Sequence, residues 1–147
     1  MERCRDAILE MSIGFVLMLV LVATPCAEAA GGLLGGSTGQ RIATGGYFTC
    51  AIVDSGSVRC WGRNTFGELG DGSDVNREIP TAVLGIGETA ISIVAGYYHA
   101  CVLTASGGVK CWGYNARGQL GNGTTVSSST PVDVLGLSRG VIGITAG

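Results

Sequence analysis

The amino-acid sequence predicts an all-β fold, β-propeller blades of four antiparallel strands, with two full repeats and the start of a third. Three observations predict it. The segment from Gly45 to Ala95 is written again from Gly96 to Ala146, a period in the range of propeller-type repeats. Cys50, Cys60, Trp61, Gly62, Asn64, Gly67, Leu69, Gly70, Gly72 and Pro80 recur as Cys101, Cys111, Trp112, Gly113, Asn115, Gly118, Leu120, Gly121, Gly123 and Pro131. Roughly 22 of 51 aligned positions are identical, far beyond what shared composition gives. Glycine supplies 26 of 147 residues, which favours frequent turns and short strands over long helices. Apolar runs too short for helices lie between those turns.

A repeat of this kind cannot bury both faces alone and needs neighbours. Ile144, Ala146 and Gly147 stand where Ile93, Ala95 and Gly96 stood one period earlier. The pattern therefore predicts a working unit larger than two blades, completed by further repeats or by a homo-oligomer.

Residues 1–29 are expected to be a signal peptide. The apolar run Met11–Ala23 is followed by Pro25 and the small-residue site Ala27, Glu28, Ala29. The run is shorter than the roughly 20 residues of a spanning helix, so a membrane association is expected only if this segment is retained. Arg3 and Arg5 are offset by Glu2, Asp6 and Glu10, which weakens the positive start, and initiation at Met11 would remove that stretch. Cys26 raises the alternative of a lipid-anchored cysteine, against which Pro25 in the preceding position counts. The expected location is secreted or cell surface.

Residues 30–41 read as a flexible linker, rich in Gly, Leu, Ser and Thr without an apolar period. The repeats occupy residues 42–147. Within a copy the predicted strands are Ile91–Ala95, His99–Leu103, Val109–Gly113 and Pro131–Leu135, with matching segments one period earlier. Asp54, Ser55 and Gly56 suit a three-residue hairpin loop, a type I turn closed by a left-handed glycine. Counting back across it sets Cys50 opposite Cys60, and the same count sets Cys101 opposite Cys111. Opposed residues on antiparallel strands lie within disulfide reach, so two bonds, each inside one repeat, are the leading use of these cysteines. Buried free thiols are the alternative. A zinc site is a third, but the spacing lacks a tight CxxC knuckle.

The loop Gly67–Gly72 and its twin Gly118–Gly123 set one leucine among three glycines, as a plug for an apolar gap. It is not a phosphate loop, for the glycines are not in GxGxxG order and no lysine follows. Asp71, Ser73, Asp74 and Asn76 suggest a calcium loop, but they lack its spacing and glycine and read as a solvated turn. Asn122, Gly123, Thr124 is a formal glycosylation acceptor.

The string Cys-Trp-Gly-x-Asn-x-x-Gly-x-Leu-Gly-x-Gly at Cys60–Gly72 and Cys111–Gly123, followed by Pro80 or Pro131, resembles the regulator of chromosome condensation repeat. The resemblance covers Ile42–Gly147 and implies four-stranded blades, about seven of which close a ring. Kelch repeats share the period but not this loop. The paired cysteines look like the bacterial, exported branch of the family, whereas its nuclear members act on chromatin. Founding members are exchange factors for a small nuclear GTPase, an activity that no residue here carries across.

Little else points to chemistry. No lysine or arginine block exists, so a nucleic-acid partner is not expected. His99 is the only histidine and its counterpart is Phe48, which favours a packed ring over a catalytic base. Ser55 and Ser106 sit in turns without a base. No enzyme activity, metal or cofactor is expected. Trp61 and Trp112 read as blade-packing residues, with ligand-stacking platforms as the alternative.

The expected function is an exported, non-enzymatic module that binds a protein or other macromolecule, such as a cell-surface partner, through blade loops. A structural cell-surface component and a guanine-nucleotide exchange factor are the alternatives. The surface stretches that differ most between copies are Arg63–Phe66 against Tyr114–Arg117, and Ser73–Ile79 against Thr124–Thr130. Arg63, Phe66, Tyr114 and Arg117 are thus the candidate contact residues.

Overall fold

The computed structural model describes residues 39–147. The signal peptide and most of the linker read from the sequence lie outside the described residues. Eight strands form two four-stranded antiparallel sheets, each a meander. The first blade is β1 (Ile42–Thr44), β2 (Phe48–Ile52), β3 (Val58–Gly62) and β4 (Arg77–Ala82). The second is β5 (Ala90–Ala95), β6 (His99–Thr104), β7 (Val109–Gly113) and β8 (Ser128–Asp133). The last residues of the linker stretch are tied in, since the Gln40 and Arg41 carbonyls accept bonds from the Ile93 and Ile52 amides.

Strand alternation decides which side chains meet between the blades. Phe48, Cys50, Ile52, Val58 and Cys60 of the first sheet share a core with Ile93, Ala100, Val102 and Trp112 of the second. The opposite face of the second sheet gathers Val94, Cys101, Leu103, Val109 and Cys111, against which Val141, Ile144 and Ala146 pack. Residues 141–147, which include the Ile144, Ala146 and Gly147 taken to open a third copy, thus lie on the second blade without forming a strand.

The inner hairpins pair with Cys50 opposite Cys60 and Cys101 opposite Cys111. Both pairs stand at disulfide distance, with S–S 2.06 and 2.12 Å and Cα atoms 4.1 Å apart. Closing a loop of this length stabilises by about 2.5 kcal/mol in the chain-entropy picture. Replacing Cys50 and Cys60 together by alanine is expected to remove roughly that amount, read from the midpoint of urea unfolding under oxidising conditions.

Two expectations about local structure are corrected. The turn at Asp54–Gly56 is not type I, because Ser55 already has φ 60° and Gly56 follows at 81°. The second loop, Ala105–Gly107, does keep a single left-handed residue, Gly107. The outer strands begin about three residues earlier than Pro131 and Pro80 suggested. Gly113 pairs with Ser128 and Gly62 with Arg77 across a bulge, so pairing starts ahead of the proline. A proline inside a strand is tolerated there because these are sheet edges that need no further donor.

A tryptophan locks the blades together. The bulge between Cys111 and Gly113 leaves Trp112 outside the β8 register. Its indole, fully buried, donates from Nε1 to the Glu68 carbonyl of the first blade at 2.8 Å. Gly70 allows that approach, for a Cβ there would stand 2.9 Å from the indole nitrogen. Trp61, its counterpart, is only half-buried.

Candidate binding surface

The long loop after β3 is organised by Asn64, which is fully buried. Its Nδ2 donates toward Asp71 Oδ1, the Ser73 carbonyl and the Val75 carbonyl at 3.0–3.1 Å, while its Oδ1 accepts from the Leu69 amide at 2.9 Å. Asn115 repeats the arrangement with Asn122, Thr124, Val126 and Leu120. Leu69 and Leu120 are fully buried, as befits plugs. Asp71 is not a solvated turn residue, for its side chain is 3% exposed and pairs with Arg77 at 2.9 Å. Burial opposes its ionisation, but bonds from Ser73, Arg77 and Asn64 outweigh it and hold its carboxyl below the ordinary value. Asn122, the formal glycosylation asparagine, spends its Oδ1 on Asn115 and Thr124.

This scaffold holds Arg63 and Phe66 at the end of the sheets where the β1–β2 and β5–β6 turns also lie. There the two blades build one aromatic cluster. Tyr47 meets Tyr97 edge-on with centroids 5.9 Å apart, and Tyr97 meets Tyr98 at 4.5 Å. Phe66 joins Tyr98 at 5.4 Å and Tyr114 at 4.9 Å. The Arg63 guanidinium carbon sits 5.4–5.8 Å from the rings of Tyr98, Tyr47 and Phe66.

Tyr47 and Tyr97 remain 61% and 53% exposed, so the cluster is a surface rather than a core. The Tyr97 hydroxyl donates to that of Tyr47 at 3.4 Å, and this bond, with the neighbouring phenol and burial, raises the pKa of Tyr97 above its ordinary value. Gly46 seats Tyr97: its amide donates to the Tyr97 carbonyl at 2.9 Å, and a Cβ would stand 2.8 Å from the ring.

Of the four candidate contact residues, the structure brings Arg63, Phe66 and Tyr114 together and leaves Arg117 exposed, outside the ring cluster. The sequence reading missed Tyr47, Tyr97 and Tyr98. One signal was available, since Tyr97 stands where the first copy has Gly46. His99 is partly buried, which pushes its pKa below the ordinary value. Among the described residues no group of His, Cys, Asp and Glu could hold a metal ion.

Stacked four-stranded meanders joined through a shared core define the chain as β-propeller blades. The Regulator of chromosome condensation (RCC1) repeat matches residues 55–103 and 106–147 in one form and 40–68 and 90–119 in another. The chain belongs to that repeat family. It is similar to the E3 ubiquitin-protein ligase HERC2 of Homo sapiens, 40% identical over 98 residues, which are 66% of this chain and 2% of that protein. The mitochondrial RCC1 domain-containing protein RUG3 of Arabidopsis thaliana is 33% identical over 98 residues, 66% of this chain and 22% of RUG3. These matches therefore span a small part of each relative.

Among solved structures, Prp20p of Saccharomyces cerevisiae, described with its binding to Gsp1p and histones, superposes with TM-score 0.57 at 20% identity, over 63% of this chain and 24% of that one. Yeast RCC1 (Prp20) bound by Kap60 gives TM-score 0.55 at 25% identity, over 67% and 25%. Human WBSCR16 gives 0.56 at 22%, over 63% and 24%.

Proposed function

We propose that this chain is an exported, non-enzymatic β-propeller module that binds a protein partner through the aromatic surface built by both blades. The observation that carries the reading is the cluster of Tyr47, Tyr97, Tyr98, Phe66 and Tyr114 around Arg63, in which Tyr47 and Tyr97 are exposed and the rest half-buried. Tyrosine and arginine supply much of the energy of protein interfaces, and rings held by a sheet lose little entropy on binding. Protein partners accord with the structural neighbours, for Prp20p is described with Gsp1p and histones and yeast RCC1 with Kap60. Cysteine pairs at bonding distance favour an oxidising compartment and so support export.

A photo-cross-linking side chain at position 97, compared with one at Ser55 at the other end of the sheets, tests this in the native extracellular milieu. Discrete protein adducts are expected at position 97 alone, and they should vanish when Phe66 becomes alanine. Equal adducts at both positions, or adducts indifferent to Phe66, would overturn the reading.

A further inference from the structure

We propose that the aromatic surface accepts an acidic peptide, with Arg63 receiving its carboxylate; this rests on the reading of that surface as the docking site. The Arg63 side chain makes one hydrogen bond, from Nε to Thr65 Oγ1 at 3.0 Å, and its terminal amino groups have no protein acceptor among the described residues. The two ion pairs among those residues, Arg77–Asp71 and Lys110–Asp133, do not involve it. A guanidinium already lodged against three rings has lost much of its freedom, so little more is lost when it grips a carboxylate in its planar fork.

The surroundings share this polarity. The exposed Tyr47 hydroxyl, which accepts from Tyr97, keeps its own proton to donate at the surface. Neither Glu68 nor Asp71 of the same loop pairs with Arg63. Glu68 is fully buried, with Oε2 accepting from the Phe66 amide at 2.7 Å, and Asp71 is consumed by Asn64, Ser73 and Arg77. Beside Phe66 a cleft of about 380 Å³ opens between the two long loops, lined by Thr65, Ser73, Asp74, Ser127 and Ser129. A peptide carrying acidic side chains next to aromatic ones would find a cation and rings on the surface and hydroxyls in the cleft. An oligosaccharide could use the rings and hydroxyls but would leave Arg63 without a carboxylate.

The test uses a short peptide alternating glutamate and phenylalanine, its glutamine counterpart, and cellohexaose, titrated calorimetrically against the whole protein and against Arg63→Gln and Tyr97→Ala. The glutamate peptide should bind most tightly, should weaken about tenfold in Arg63→Gln, and should weaken as salt is raised. The glutamine peptide should not distinguish Arg63→Gln from the parent. If Tyr97→Ala weakens both peptides while Arg63→Gln weakens neither, the surface stands and the acidic proposal falls. Tighter binding of cellohexaose also overturns it. If neither substitution affects any probe, the docking reading falls with it. Near-ultraviolet circular dichroism checks that each variant is folded.

Discussion

Trp112→Ala is expected to cost about 3–5 kcal/mol of stability, the range for emptying a large buried aromatic site. The indole is fully buried between the blades, and its Nε1 bond to Glu68 is made across them. Losing it leaves a cavity in the shared core and an unmatched carbonyl on the first blade. Trp61→Ala is the internal control, because the same residue at the equivalent position is half-buried and should cost clearly less. Chemical denaturation of the two variants side by side measures the difference. Equal losses would mean that Trp112 does not join the blades.

The second large effect is expected at Asn64. Replacing it by alanine removes the acceptor of the Leu69 amide and the donor shared by Asp71, Ser73 and Val75, all from a buried site. An unmet buried group costs about 1–3 kcal/mol, so a loss of about 3 kcal/mol is expected from the several left behind. Asn64→Asp should do no better, since it turns a carboxylate oxygen toward the Asp71 carboxylate and two carbonyls. Thermal unfolding measures the loss. The loop that Asn64 ties together also carries Arg63 and Phe66, so partner binding should weaken although Asn64 does not belong to the aromatic cluster.

What was legible in the sequence is what repeats or lies close along the chain. The period marks out the two blades, the hairpin loop length fixes the opposition of Cys50 and Cys60, and the glycine-framed Leu69 and Leu120 mark plugs. The outer strands start ahead of where the sequence points, because Pro80 and Pro131 look like strand starts, whereas an edge strand admits proline in its middle. The binding surface was half legible. Differences between the copies point to Arg63, Phe66 and Tyr114, but Tyr47 and Tyr98 are identical in both and carry no such mark. Their meeting depends on blade stacking, which brings positions about fifty residues apart into contact, as with Tyr47 and Tyr97. Asn64 and Asn115 stood in the repeated motif, yet their work in the loops rests on backbone carbonyls that a sequence does not display.

The central claim is that loops of both blades form one binding surface at one end of the sheets. Amide hydrogen exchange of the protein alone and bound to the partner that cross-links at position 97 tests it most directly. Binding should slow exchange at residues 45–47 and 63–66 of the first blade and at 96–98 and 114 of the second. Slowing confined to one blade, or centred on Asp54–Gly56 and Ala105–Gly107 at the opposite end, would contradict it.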